Sequence, residues 1–326
     1  MKPIISIITP IYNGVVHIEN YFKNIRKIQE GNVEFILIND GSTDDTHEKL
    51  LEKFKKFSGN FLYIQQENTG AAGARLNGIR RASGDYIALL DCDDEFGDNA
   101  ILSAIEKIKN YPLRVDCVLF DLKYKKNNIL SNFKYSIDYW PINGKAAFAE
   151  TVDKWGLHGF GVFRKTVYLT AYAVLDKLAQ LSENRVNDDE LITRIAFYNC
   201  NYIDLCHGTY LYNVESPSTT RGYNKNSHKM LYTSISLINF INNEIKSVEI
   251  LNNAYRNLLN HTLAVHRSYI VNFIKIKNKE EWKKSISSAI CKLDGFNINN
   301  INNIKSNKFK EIIKKIHLEI LFYMYK

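Results

Sequence analysis

What this chain lacks narrows its class before anything it contains. Its five cysteines, Cys92, Cys117, Cys200, Cys206 and Cys291, are scattered, odd in number and form no C-x-x-C pair. That argues against a disulfide framework and a structural zinc site, and for reduced thiols in a cytosolic setting. No apolar run approaches the ~18 residues of a membrane span. Met1-Lys2-Pro3 leads straight into a strand-like segment, so no secretory leader is expected. Neither phosphate-loop signature occurs: no G-x-G-x-x-G follows the first apolar run, and there is no G-x-x-x-x-G-K-[ST]. No internal repeat is visible.

What is present is ordinary in bulk and uneven in charge. With 326 residues, 45% hydrophobic and 24% charged, the chain is long enough for one large globular domain or two. Of the net charge of +8, the C-terminal third holds more than all: residues 225–326 carry 17 Lys/Arg against 7 Asp/Glu, leaving 26 against 28 before them. That third suits an anionic partner, a membrane surface or a nucleic acid.

The first ~120 residues alternate between two hydrophobic periods. Strand-length apolar runs at 4–8, 35–38, 61–64, 86–90 and 115–120 are separated by helical patterns at 17–28, 43–57, 71–82 and 99–109. That is the signature of βαβ units and a mostly parallel sheet, an α/β fold. Ser42 or Thr43 ahead of Asp44 and Asp45 reads as the start of the second helix.

Each of the first four runs ends in polar, turn-forming residues: Thr9-Pro10-Ile11-Tyr12-Asn13-Gly14, Asn39-Asp40-Gly41-Ser42, Glu67 to Arg75, and Asp91-Cys92-Asp93-Asp94. Strands of a parallel sheet point their ends to one edge, so four such ends suggest a ligand crevice. Asp40 can accept from the ring N–H of a base and Tyr12 can pack on it. Gly70 and Gly73 permit close backbone approach, and Arg75 can reach a phosphate with its planar fork. Asn-Asp-Gly-Ser is also a good turn sequence anywhere. Crowded carboxylates at 91, 93 and 94 call for a compensating divalent cation with oxygen ligands; the bland alternative is that they cap a helix beginning near Asp98. With no phosphate loop, a diphosphate would need that metal.

SIITPIYNG (6–14), FILINDGSTDDT (35–46), ENTGAAGARLNGIRRASGDYIALLDCDD (67–94) and, less closely, NDDELITRI (187–195) together resemble the family-2 glycosyltransferases. These have the nucleotide-sugar-binding fold called GT-A, a Rossmann-like, mostly parallel sheet flanked by helices. The resemblance is strong over the first ~95 residues, loose over the next ~130 and scarcely present in the last ~100. It implies that Thr9, Pro10, Tyr12 and Asp40 hold the base, with Asn13 and Gly70 in the same nucleotide-sugar site and Asp40 on the uracil of a UDP-sugar. It places Arg75 near the donor, Asp91 near the ribose or donor sugar, and Mn²⁺ or Mg²⁺ on Asp93. Two departures stand out: Leu76 follows Arg75 where the family has Asn, with Asn77 next, and Cys92 sits inside the D-x-D where Ser is common. Asp188-Asp189 stands in the place of the family's E-D pair before a helix, making Asp189 the expected catalytic base, with Asp188 and Glu190 the alternatives. Acidic residues there also favour the helix dipole. Arg221, in the polar loop after Tyr210-Leu211-Tyr212-Asn213, is expected on the diphosphate.

Elsewhere the sequence says less. Residues 123–128 read as a basic turn and 139–144 as an aromatic loop. Residues 155–161, rich in Gly and aromatics, read either as a sugar-stacking wall or as a packed loop, and His158 alone reads as structural. Helices are expected at 228–245, 248–276, 280–293 and 306–325. The last interleaves lysines with apolar residues, as a helix on an anionic membrane would, or one packed in the core or against a partner subunit with a solvated basic face. The expected organisation is a GT-A catalytic domain over 1–224 and a basic helical region over 225–326. The expected protein is a cytoplasmic, inverting, metal-dependent transferase, peripheral to the membrane through its C-terminal helices. It would move a hexose or N-acetylhexosamine from a UDP-sugar to a saccharide or lipid-linked saccharide in bacterial surface polysaccharide assembly. No nucleic-acid partner is expected, and a homo-oligomer is compatible with the sequence. The alternatives are a sugar-nucleotide nucleotidyltransferase, which usually has a Gly-rich basic loop where T-P-I-Y-N-G stands, and a non-enzymatic nucleotide- or nucleic-acid-binding module.

Overall fold

A computed structural model describes residues 4–28, 32–110, 115–178, 186, 188–214, 224–294, 317, 319–321 and 323–325. The elements run β1 (Ile5–Ile11), α1 (Ile18–Ile25), β2 (Val33–Asp40), α2 (Thr46–Phe54), β3 (Phe61–Gln66), α3 (Gly70–Arg81), β4 (Tyr86–Leu89), β5 (Glu95–Phe96), α4 (Ala100–Asn110), β6 (Cys117–Lys126), β7 (Ile129–Asn132), β8 (Ile142–Asn143), α5 (Gly144–Val152), β9 (Gly161–Arg164), α6 (Lys165–Leu178), α7 (Asp188–Asn199), β10 (Tyr202–Asn213), α8 (Met230–Phe240), α9 (Val248–Val271) and α10 (Lys279–Leu293). They fall into two compact units. One holds the chain up to Thr151 with Gly156–Val174 and Ile192–Ser216; the other holds Val152–Trp155, Leu175–Leu191 and the chain from Pro217.

All ten strands form one sheet in the first unit, in the order β3-β2-β1-β4-β9-β6-β10-β5, with β7 on β6 and β8 on β10. The longest ladders, β1 on β2, β2 on β3 and β6 on β10, are parallel, while β9 runs antiparallel between β4 and β6. Strand β2 is buried at every position, which is why VEFILIND reads as a continuous apolar run. Of its two acidic residues, Glu34 is tied down by Ser6 Oγ and by the backbone N–H of Ser83 and Gly84, and Asp40 closes the strand.

Helices cover both faces, and each face uses different chemistry. On one, Phe22, Phe35, Phe54, Phe57 and Phe61 interlock, with the Phe54 and Phe61 rings 4.5 Å apart edge to face. On the other, α3 lies against β1 and β2 at Gly78, where a Cβ would come within 2.6 Å of Ile8 Cγ2 and 2.8 Å of Ile38 Cδ1. A glycine there lets the helix approach the sheet. Far from the crevice, Arg164 clamps three strands: Nε donates to Asp116 Oδ1 at 2.8 Å and a terminal nitrogen to the Tyr86 hydroxyl at 2.6 Å.

Several sequence expectations shift. Helix α2 starts at Thr46, where Asp44 Oδ1 accepts from Thr46 N at 3.1 Å, and not beside Ser42 or Thr43. The basic turn expected at 123–128 is mostly strand. Strand β6 runs on to Lys126, and only Asn127 and Asn128 turn, both with positive φ, as a tight hairpin requires. In the second unit, α8, α9 and α10 enclose Leu258, Trp282, Ile286 and Ile290, with the Trp282 indole donating to Lys225 O at 3.2 Å. Of the helix expected at 306–325, the described residues 317, 319–321 and 323–325 are helical and the rest lie outside the described set. Among the described residues no helix is long and apolar enough to cross a membrane.

Candidate active site

The sheet order reverses between β1 and β4: strands β1, β2 and β3 march one way, and β4 returns to the other side of β1. In open α/β sheets ligands bind at such a switch point, outside the carboxyl ends of the strands. Two of the polar stretches singled out from the sequence, 12–14 after β1 and 91–94 after β4, flank this point.

Next to it, the ends of β2 and β3 are built around Asp40. Its carboxylate is nearly sealed, 2% exposed, while Tyr12 after β1 stands 52% exposed. Asp40 Oδ1 accepts from Gln66 Nε2 at 2.7 Å, from Thr69 N at 2.9 Å and from the Thr69 hydroxyl at 3.3 Å. Asn68 Nδ2 donates to the Asp40 carbonyl at 3.0 Å. One carboxylate oxygen is therefore held by the protein, and among the described residues no donor engages the other. Gly41 has a φ of +72° and a Cβ would lie 2.8 Å from Asn68 N, so this turn tolerates no side chain.

The β1 end is stitched to the loop before α2. Asn13, at a φ of 49°, accepts from Thr43 N at 2.8 Å and donates its own N–H to Ser42 Oγ at 3.0 Å; Gly14 N donates to Thr46 Oγ1 at 3.0 Å. Asn13 thus shapes the loop through its side chain. Thr9 is wholly buried and, by strand alternation, shares the core face of Ile7 and Ile11, whereas Pro10 lies on the opposite face and is partly exposed. Gly70 opens α3 with a φ of +79°.

Arg75, one turn into α3, donates to Asp91 Oδ1 at 2.7 Å, its side chain mostly covered. That pairing orients Asp91 at the β4 end. Asp93 is half-buried, and among the described residues no donor or cation engages its carboxylate. Asp94 is not a helix cap. It is buried, accepts from the Tyr210 hydroxyl and from Asn213 N, each at 2.8 Å, and is followed by β5 before α4 begins at Ala100. Burial, with the Asp91 charge beside it, pushes its carboxyl up to about 8. Burial and the three surrounding aspartates likewise hold the Cys92 thiol well above its usual range, so Cys92 stays a thiol and no ligand for a hard cation.

Among the described residues no three His, Cys, Asp or Glu side chains are gathered to hold a metal. An unengaged Asp93 beside an oriented Asp91 does match the way Mg²⁺ and similar ions are held, by one or two carboxylates with substrate phosphates and water completing the shell.

Asp189 lies exposed in the first turn of α7, between partly buried Asp188 and Glu190, and Glu190 Oε2 accepts from the Trp155 indole at 3.3 Å. These residues belong to the second compact unit. Arg221 lies outside the described residues. Sequence reasoning missed Gln66 and Thr69, which hold Asp40, and Tyr210 and Asn213, which hold Asp94. Gln66 stands opposite Asp40 in the register of β3 on β2, a relation that the sequence alone does not display.

The sheet topology and the carboxylates at its switch point define an α/β domain of the nucleotide-sugar-binding GT-A kind. The model of the family "Glycosyl transferase family 2" matches residues 6–165, and that stretch is a domain of this family. Among curated proteins it is 34% identical over 106 residues to the putative teichuronic acid biosynthesis glycosyltransferase TuaG of Bacillus subtilis, covering 32% of this chain and 42% of that one. It is 37% identical over 109 residues to the poly-beta-1,6-N-acetyl-D-glucosamine synthase of Staphylococcus aureus, covering 33% and 26%. Each of these matches spans less than half of the relative's length. Among solved structures, S. aureus TarS 1–349 in complex with UDP-GlcNAc superposes with a TM-score of 0.63 at 18% identity, over 89% of this chain and 81% of that one. That likeness extends the shared fold beyond the matched domain.

Proposed function

We propose that this chain is an inverting, metal-dependent glycosyltransferase. It would take a hexose or N-acetylhexosamine from a UDP-sugar to a hydroxyl of a saccharide or lipid-linked saccharide in bacterial surface polysaccharide assembly. The observation that carries the reading is the pairing at the switch point of an oriented Asp91, held by Arg75, with an unengaged Asp93. The relatives named for teichuronic acid biosynthesis and for poly-N-acetylglucosamine synthesis support the polysaccharide setting.

The residues then divide the work. Asp40, with one oxygen fixed by Gln66 and Thr69, offers the other to the N–H of a uracil, and Tyr12 offers an exposed ring to the base. Pro10, Asn13 and Gly70 form the walls and turns of that site, and Thr9 contributes through its backbone. Arg75 and Asp91 position the donor as a unit, and Arg221 is assigned to the diphosphate. Asp93, with Asp91 near it, would hold Mn²⁺ or Mg²⁺, which supplies charge stabilisation for a departing diphosphate. Asp189 would take the acceptor hydroxyl's proton as that oxygen attacks, and one displacement inverts the anomeric centre.

The test is UDP release from a panel of UDP-sugars, with Mn²⁺ and with chelator, for the wild type, Asp93→Asn and Asp189→Asn. Release should depend on metal and fall at least about a hundredfold in Asp93→Asn, where a Lewis-acid contribution of several kcal/mol is lost. In Asp189→Asn, transfer should drop about a hundredfold or more with donor KM unchanged. Metal-independent release, or none from any donor with or without candidate acceptors, would sink the reading. Steeply salt-dependent oligonucleotide binding without turnover would favour the non-enzymatic alternative.

A further inference from the structure

The turn between α9 and α10 breaks the ordinary rule of surface composition. Four apolar side chains in a five-residue stretch face solvent there: Ile270 at 59% exposure, Val271 at 74%, Phe273 at 47% and Ile274 at 97%. Scattered apolar residues on a surface need no explanation, but a contiguous patch does. This one is also firmly built. Asn272 Nδ2 donates to Ser268 O at 3.0 Å, and the Asn272 carbonyl accepts from Lys275 N at 2.8 Å and Ile276 N at 3.1 Å. Ile276 is buried at the turn's base, and the rings of Phe273, Tyr269 and Trp282 form a chain with centroids 5.5 and 6.1 Å apart. The apolar tips are held outward by a braced turn.

The charged residues of the turn itself have one sign. Residues 268–279 contain Lys275, Lys277 and Lys279 and no Asp or Glu. Lys279 Nζ sits 4.8 Å from the centre of the Phe273 ring and also donates to Ile276 O at 3.2 Å. The first acidic groups beyond lie in the first turn of α10, where Glu280 pairs with Lys283 at 3.1 Å and Glu281 lies 3.7 Å from His228. An apolar tip followed directly by three lysines fits a surface that is apolar inside and anionic at its rim. A second copy of the same face would set lysines against lysines.

We propose that the α9–α10 turn, residues 270–279, seats this protein on an anionic lipid bilayer. Ile270, Val271, Phe273 and Ile274 enter the boundary between headgroups and acyl chains, and Lys275, Lys277 and Lys279 lie at the level of the lipid phosphates. The sequence alone put a membrane contact on the C-terminal helices as a set; the proposal assigns it to the one turn between α9 and α10, and its role does not depend on which sugar is transferred.

The test is co-flotation of the full chain with vesicles of phosphatidylcholine alone, or of equal parts phosphatidylcholine and phosphatidylglycerol, at low and high salt. The wild type should float with the anionic vesicles only, and salt should weaken binding. Val271→Ser with Ile274→Ser, and separately Lys275→Glu with Lys277→Glu, should each lower the partition coefficient at least about tenfold. Both pairs alter exposed side chains, so thermal melts should match the wild type. The proposal is overturned if the wild type ignores anionic vesicles, or if both double variants float as it does. It is also overturned if sedimentation shows a concentration-dependent dimer that the Val271→Ser/Ile274→Ser pair dissolves, which would make the patch a self-association surface.

Discussion

Asp40 shows how a single carboxylate is prepared for recognition. A buried ionised group must be hydrogen-bonded, and Gln66 and Thr69 meet that need on one oxygen only. The arrangement fixes the direction in which the second oxygen accepts. Replacing Gln66 with Leu should therefore leave Asp40 present but poorly aimed. We expect UDP affinity, read by calorimetric titration, to fall about tenfold, as loss of one hydrogen bond to a charged group implies. Asp40→Asn should cost at least as much, because its amide nitrogen would donate where a base N–H also donates. Unchanged UDP affinity in both variants would remove Asp40 from the base site. Asp40 itself was legible in the sequence as a polar residue ending an apolar run. Gln66 was not, because its role arises from strand register, which a single chain read in order does not display.

At the scale of elements, the parallel half of the sheet was readable and the inserted half was not. Strands β1, β2 and β4 are buried apolar runs, β3 is a half-exposed edge strand with an apolar start, and helices space them, so two periods alternate visibly along residues 5–89. Strand β8 is two residues long, β7 and β9 are four each, and the β6 end is Lys-rich. Such strands form because neighbours pair with them, and local pattern carries little of that information. Helix α3 was expected, but its close seat on Ile8 and Ile38 through Gly78 was not. Gly78→Val would force α3 off the sheet and move Arg75, one turn earlier on the same helix, away from Asp91. Overpacking of this kind costs about 1–3 kcal/mol, so the urea midpoint should drop and UDP affinity should fall with it. A variant with lowered stability and full affinity would show that α3 does not position Arg75.

At the scale of the whole molecule, acid should act through histidines buried without charge. His158 lies in the loop where a sugar-stacking wall was one reading. Its environment favours the packed-loop reading, with its ring edge-on to Phe133 and Phe160 stacked on Tyr210 at 4.3 Å. Phe160 N donates to His158 Nδ1 at 3.2 Å, so the neutral ring carries its proton on Nε2 and donates to the Tyr135 oxygen at 2.8 Å. The Tyr135 hydroxyl in turn donates to Phe120 O at 3.2 Å. A second proton on Nδ1 would face the Phe160 N–H, donor against donor. Burial accordingly pulls the His158 pKa down to about 3, against an unfolded value near 6.5. Between those values the unfolded chain binds a proton that the folded chain refuses, so stability falls as pH drops below about 6.5, by several kcal/mol at the acid end. Burial lowers the pKa of His228, His266 and His317 as well, adding to the same slope. Asp94, whose carboxyl is raised to about 8, contributes a slope of the opposite sign over this range, so the histidine contribution is read as the difference in urea midpoint between the wild type and a histidine variant from about pH 7.5 to pH 4.5. His158→Phe should be less stable than the wild type at neutral pH, because Phe160 N–H and Tyr135 lose a partner, yet decline less steeply in acid. If the variant keeps the full acid slope, His158 is not the group that refuses the proton.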